Sequence, residues 1–222
     1  MGVVFVKRCI LCSELLPAAG MGKTMLCPAC AGEVRQIYRC TEPIRVTGAD
    51  DAAAALYYTG KVQHAMQGLK FHHKQHYADW FAAQMLPLLA ERLDTWEPDL
   101  ITYMPVGLLR LRERGYNQAE LLAKAVAQPF GLPCIATLRK RAFTPKQSTR
   151  KDAAARQQNA ARALLPLTNA DVHSKSVVFV DDIITTGATA AAAVKLLRDM
   201  GAAKIYVLAA AHTRNSVNLA KR

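Results

Sequence analysis

Two groups of side chains in this 222-residue sequence have types and spacings that suggest chemistry. The first is sulfur: Cys9-x2-Cys12 and Cys27-x2-Cys30, with fourteen residues between the pairs. Two such knuckles supply four thiolates, the donor set of a tetrahedral metal site, and in a reducing compartment this use is favoured over disulfides. With Cys at all four positions no ligand place is left open, so a Zn2+ ion held there is structural rather than catalytic. A segment this short has no core of its own, and in isolated fingers zinc supplies on the order of 10 kcal/mol of folding free energy. Unconnected thiols or a redox pair are the other reading of the same spacing. Cys40 and Cys134 stand outside the pattern, with Cys134 an expected core thiol.

The second group is oxygen. "VVFVDDIITTGAT", Val177–Thr189, sets Asp181 and Asp182 after an apolar run and follows them with Thr185, Thr186, Gly187, Ala188 and Thr189. Burying one carboxylate is costly unless it is paired, so two together point to a ligand, a metal or an exposed turn. A helix starting near Gly187 offers free N–H groups and a partial positive charge, Gly187 admits a close backbone approach, and the Thr hydroxyls add donors: a phosphate cradle. The two acids would accept from vicinal hydroxyls. Phosphate and two hydroxyls together describe a ribose 5-phosphate. The segment is not a P-loop, because GxxxxGK[ST] is missing. Taken alone, D-x-x-T-T-G fits a capped helix with solvated acids equally well.

Charge adds a third signal. The formal net charge is +12, and between Arg110 and Arg162 there are twelve Lys/Arg against three acids. Such a block attracts phosphates, pyrophosphate or nucleic acid, and is also what a solvated basic surface looks like. Arg110, Arg112 and Arg114 follow a strand's carboxyl end, where a phosphate ligand would lie. Arg matches phosphate oxygens with a forked donor set, and Arg114, next to Gly115, is the most constrained of the three. His72, His73 and His76 cluster in "FHHKQH", which reads as a surface helix before a metal site. Its basic and aromatic neighbours, Lys70, Phe71, Lys74, Tyr77 and Trp80, would also suit single-stranded nucleic acid. Trp80 and Phe81 fit a core equally. His212 would line the site from the end of the last strand.

The elements that must position these groups follow from periodicity. Strands are expected at Ala52–Tyr58, Pro98–Val106, "CIATLRK", "SVVFVD" and "KIYVLAAAHT"; the fourth is expected to end its apolar run at Val180. Helices are expected at Lys61–Lys70, Tyr77–Leu93 with a kink at Pro87, Asn117–Gly131 capped by Asn117, Asp152–Ala163 and from Gly187. Strands alternating with helices, the late strands nearly all apolar, indicate a parallel sheet covered on both faces, with ligands beyond the strands' carboxyl ends. With 51% hydrophobic residues the chain can build one good core and a small appended module ending near Arg35. Composition excludes collagen and disordered classes. "VVFV" at Val3–Val6 is too short for a signal or membrane span, and Val6 stands where myristoylation needs Ser or Thr; the expectation is a cytoplasmic protein without membrane insertion.

The full Val177–Thr189 string resembles the phosphoribosyl pyrophosphate (PRPP) motif of type I phosphoribosyltransferases. With the N-terminal cysteines the chain is similar to the ComF family, associated with competence for DNA uptake. Met104–Ala127 resembles that family's P-V-P-L…R…RGFNQ…LA block, with Gly107 in place of the second Pro. Arg139–Ala160 resembles its R…T…Q…R…N block at Thr144, Gln147, Arg156 and Asn159, and Leu69–Phe71 matches a short lysine motif.

The resemblance implies an α/β fold: a type I phosphoribosyltransferase-like parallel sheet flanked by helices over residues 36–222, after a small four-cysteine zinc module over 1–35. It implies that Asp181 and Asp182 hold the ribose hydroxyls and serve as the catalytic pair. Thr185, Thr186, Gly187, Ala188 and Thr189 hold the 5-phosphate, with Mg2+ accompanying PRPP. Arg110 and Arg114 are placed for the pyrophosphate. The Arg139–Lys151 loop, with Thr144 and Gln147, would be a mobile hood. The expected role is PRPP binding in DNA uptake or utilisation, with phosphoribosyl transfer as its possible chemistry and single-stranded DNA and a helicase-like competence protein as partners. A non-catalytic PRPP sensor that binds single-stranded DNA, and a nucleobase salvage enzyme, are the alternatives.

Overall fold

The structure, a computed structural model, describes residues 7–16, 25–141 and 163–214. Val3–Val6, Thr144, Gln147, Arg156, Asn159 and nearly all of the helix expected at Asp152–Ala163 lie outside the described residues.

A four-stranded sheet runs in the order β1-β6-β5-β2, where β1 is Asp51–Tyr57, β2 Leu100–Tyr103, β5 Ser176–Ile184 and β6 Lys204–His212. Every neighbouring pair is parallel, so all carboxyl ends lie along one edge. Helices α2 (Gly60–Phe71), α3 (Tyr77–Ala90) and α6 (Gln118–Ala127) cover one face. There Met66, Phe81 and Leu122 share a cluster with Val178, Val180 and Leu208. Helix α7 (Ala188–Asp199) covers the other, where Ala193 and Leu197 meet Val177, Phe179 and Val207. From Val177 to Val180 the odd and even residues of β5 therefore go to opposite cores, the consequence of a two-residue side-chain period; beyond the two acids the order reverses, with Ile183 against the first cluster and Ile184 in the second. An antiparallel pair, β3 (Leu138–Lys140) with β4 (Leu164–Pro166), joins the α7 side through Leu138 and Leu164. The parallel sheet covered on both faces is the expected architecture.

Several boundaries differ from expectation. Strand β5 does not stop at Val180 but continues through both acids to Ile184, because β6 stays paired with it to His212. "CIATLRK" is strand only at its end; Cys134 makes a single bridge to Ile101. The arginine segment is not extended: Leu108–Arg114 forms helix α5, closed by Gly115 at φ +79°. The histidine cluster is a turn rather than a helix. His72 ends α2, His73 has φ +53°, and His76 precedes α3. Trp80 and Phe81 are core residues, and the Asn117 side chain caps α6 by accepting from the Ala119 N–H at 3.1 Å.

The cysteine segment packs onto the same core as α2 and α3. Ile10, Leu11, Leu16, Leu26, Val34 and Tyr38 belong to one apolar cluster with Leu56, Val62 and Met66. Its helices are α1 (Pro28–Glu33), capped by Cys27, and a π-helical turn over Val34–Tyr38. The short helix α4 is Leu93–Trp96. Among the described residues no helix is long and apolar enough to cross a membrane.

Candidate functional site

The continuation of β5 decides how the two acids face. Asp182 follows Val178 and Val180 to the α2/α6 side, and Asp181 follows Val177 and Phe179 to the α7 side. Both are buried, at 8% and 5% exposure for Asp181 and Asp182. The Asp182 carboxylate accepts from Lys70 Nζ at 2.9 Å and from Gln118 Nε2 at 2.7 Å. Asp181 accepts from the Asp182 backbone N–H at 2.8 Å. Burial, then the neighbouring Asp182 charge, pushes the Asp181 carboxyl up to about 7.

The elements behind these contacts are specific. Lys70 is delivered by the last turn of α2, which Tyr116 ties down by donating to the Leu69 carbonyl. Gln118 is the first residue of α6, so the Asn117 cap that starts the helix also aims Gln118 at β5. The Asn117 amide in turn donates to the Met104 carbonyl at 3.0 Å, fixing α6 to the end of β2.

After Ile184 the chain turns through Thr185, Thr186 and Gly187 into α7. Gly187 has φ +75°, a conformation that costs an L-residue about 1–2 kcal/mol. A Cβ there would meet nothing closer than 3.7 Å, so glycine is required by the backbone and not by crowding. Thr186 Oγ1 accepts from the Ala188 N–H at a long 3.4 Å.

A cleft of about 190 Å3 lies at the carboxyl ends of β5 and β2. Asp181, Asp182, Thr185, Gly187 and Thr189 line it, and Lys70, Arg110, Gln118 and Lys140 face it from other elements. Thr186 and Ala188 are not among its lining residues, although they belong to the same turn. Arg114 is not either: it is 8% exposed, its guanidinium donates to Gln118 Oε1 at 3.0 Å and lies over the Phe71 ring. Because α5 is helical, Arg110 and Arg114 are one turn apart on one face and Arg112 is turned away from them, whereas an extended chain would put all three on one face. Burial, then the nearby Arg110 charge, holds Lys140 below the usual lysine range. The cleft thus sets two buried acids and a helix N-terminus within a ring of cations. His212 is not among its lining residues; its ring pairs with the Ile184 carbonyl at 3.0 Å.

Sequence reasoning did not assign Gln118 to the site or Lys70 as the partner of Asp182, and it placed Lys140 only in the hood loop, whereas Lys140 ends strand β3. Lys70 lay in the lysine motif and Gln118 in the N-Q pair, so both had a signal without a role.

At the other end of α2 the four sulfurs of Cys9, Cys12, Cys27 and Cys30 lie within 4.8 Å of one another. Cys12 and Cys27 Sγ are 3.7 Å apart. Metal–sulfur bonds of about 2.3 Å make a tetrahedral edge of about 3.8 Å, so the residues present fit a four-coordinate metal ion. The Cys30 N–H and Lys61 Nζ approach Cys27 and Cys30 Sγ at 3.5 and 3.8 Å, donors suited to thiolates. Among the described residues no other group of three or more such side chains is placed to hold a metal.

The phosphoribosyl transferase domain profile matches residues 117–221. Competence protein F of Haemophilus influenzae is 34% identical over 114 residues, 50% of this chain and 48% of that protein. The chain is ComF-like. DNA utilization protein YhgH of Salmonella typhimurium is 31% identical over 165 residues, 68% of the ComF-like chain and 66% of that relative. The match thus spans about half to two-thirds of these relatives' length. Among solved structures, a glutamine phosphoribosylpyrophosphate amidotransferase from B. subtilis, complexed with ADP and GMP, superposes with a TM-score of 0.42 and 26% identity. That superposition covers 60% of this chain and 26% of that one.

Proposed function

We propose that the ComF-like chain binds PRPP together with Mg2+ in the β5 cleft and acts in the uptake or utilisation of DNA. The observation that carries this reading is the placement of Asp181, Asp182 and the Gly187 turn along one cleft edge, opposite Lys70, Arg110 and Lys140. The acids accept from the two ribose hydroxyls. The backbone N–H groups that open α7, with Thr185 and Thr189, receive the 5-phosphate. Arg110 and Lys140 receive the pyrophosphate. Mg2+ suits this donor set because it is a hard cation taking oxygens from one or two carboxylates and from the ligand's phosphates; when bound it offsets charge on the pyrophosphate. Lys70 and Gln118 hold Asp182 in its rotamer and keep its charge satisfied.

Residues 1–35 form, in this reading, a structural zinc module, and 36–222 the phosphoribosyltransferase-like domain. The sulfur spacing supports zinc, and the packing of the module on α2 supports a structural duty. The names of the relatives and the basic stretch support DNA as a partner.

Calorimetric titration of the wild type and of Asp181→Asn/Asp182→Asn with PRPP and Mg2+ tests the assignment. Affinity is expected to fall about a hundredfold in the double variant; equal affinity would overturn it. Incubation of PRPP with candidate bases and amines, followed by pyrophosphate release, then separates a transferase from a binding protein.

A further inference from the structure

A second cleft, of about 290 Å3, adjoins the first between the end of α2 and helices α5 and α6. It is lined by Lys70, Phe71, His73, Arg110, Glu113, Arg114 and Gln118. We propose that this cleft is a separate site for a nucleotide, whose planar base stacks on Phe71 and whose phosphate is held by Lys70 and Arg110.

Three observations converge on that chemistry. Phe71 is 61% exposed at the end of a helix whose Val62, Met66 and Leu69 are buried. An aromatic ring left in water on a cleft wall, with cations around it, is the arrangement that stacks bases. The Arg114 guanidinium lies 4.8 Å from the Phe71 ring centroid and is itself buried, which fixes the ring's orientation from one side. The wall is therefore pre-organised, and little side-chain entropy is lost when a base settles on it.

The second observation is charge of both signs around the ring. Lys70, Arg110 and Arg114 offer donors to a phosphate. Glu113 supplies a carboxylate able to accept from an exocyclic amino group. The third is backbone strain: His73 has φ +53°, a left-handed conformation uncommon for a residue with a side chain. That conformation turns the chain between α2 and α3 and brings His73 to the cleft wall, and strain of this kind collects at binding sites.

The two clefts share Lys70, Arg110 and Gln118, yet Phe71, His73, Glu113 and Arg114 belong to the second alone and the aspartates to the first. The nucleotide has two sources, a free mononucleotide or a residue within a single strand, and the chemistry of base and phosphate is common to both. Lys70 and Arg110 serve both clefts, so a nucleotide here and PRPP in the first cleft would compete for the same cations; the test is therefore run without PRPP.

The test uses the full chain, wild type, Phe71→Ala and Phe71→Tyr, with dAMP and a twelve-residue oligodeoxyadenylate as probes at fixed salt. Phe71 is exposed, so both variants should keep the wild-type Tm. For a free nucleotide, dAMP affinity falls about tenfold or more in Phe71→Ala and stays within about twofold in Phe71→Tyr. If only the oligonucleotide responds in this way, the site takes a nucleotide within a strand. If neither probe responds to Phe71→Ala, if Phe71→Tyr loses as much, or if wild type binds neither, the proposal is overturned. The Asp181→Asn/Asp182→Asn variant separates this result from that of the first cleft. It should keep the Phe71-dependent binding, and loss of that binding there instead of in Phe71→Ala would place the nucleotide in the first cleft and also overturn the proposal.

Discussion

At the sulfur cluster, four like donors come from two short turns, Cys9–Cys12 and Cys27–Cys30, and converge within 4.8 Å. At the carboxylate cleft, Lys70, Arg110, Gln118, Lys140 and the aspartates come from α2, α5, α6, β3 and β5. The sulfurs have each other and few other partners, and their spacing fits a four-coordinate metal ion. The Asp182 carboxylate already has Lys70 and Gln118. The first region brings like donors together from short separations in the chain; the second assembles unlike charges from distant elements and spends stability to keep them ready. Helix α2 joins them, with Lys61 near Cys30 at one end and Lys70 on Asp182 at the other.

The largest effect is expected where a donor has no substitute. Cys30→Ser should reduce bound zinc from about one equivalent to nearly none and lower Tm by about 10 °C or more, measured by metal analysis and thermal melting. A full complement of zinc in that variant would erase the contrast between the two regions. Next comes the buried pair. Lys70→Met or Asp182→Leu alone should cost about 1–3 kcal/mol in urea denaturation, because each leaves the other charge poorly compensated. The double variant should cost less than the sum of the two. Strict additivity would mean that the pair is not an energetic unit.

Asp181 should behave in the opposite sense. Its carboxyl is pushed up to about 7, so between pH 4 and 7 the folded state binds more protons than the unfolded state, and stability falls as pH rises through that window. Asp181→Asn keeps an oxygen for the Asp182 N–H and removes the buried charge. The variant should be more stable than wild type by about 1–2 kcal/mol at pH 8 and equal to it at about pH 4. A gain independent of pH would sink this account. Smallest is Lys61→Ala. Its pair with Glu33, at 2.7 Å, is solvent-accessible, and Tm should move by less than about 2 °C with zinc retained. A large zinc loss there would show that the cluster depends on its outer donors as much as the cleft does.

Much of the fold was legible because hydrophobic periodicity reports burial directly. "SVVFVD" and "KIYVLAAAHT" are central strands, and their unbroken apolar runs reflect cover on both faces. Asn117 announced the start of α6 through its capping chemistry. Where expectation failed, the deciding force was not local. The two acids lie in β5 because β6 pairs alongside them as far as His212, which no property of Asp181 or Asp182 discloses. The arginines lie on a helix, and helix or extended chain decides which of the three share a face. The histidines turn the chain because α2 and α3 must fold back on each other at Gly68 and Tyr77, which nearly touch.

The sequence by itself determined the chemical inventory: four thiols at knuckle spacing, two adjacent acids after an apolar strand, a Gly187 turn and a basic stretch. These are set by residue type and short separations along the chain, where covalent geometry leaves few alternatives. Only the tertiary structure decided which cation meets which acid. Lys70 and Asp182 are 112 residues apart, and their 2.9 Å contact exists because α2 and β5 share one apolar core, to which Met66, Val178 and Val180 belong. Long-range pairing of this kind is fixed by burial of apolar surface, which carries side chains of either charge to wherever the packed elements place them.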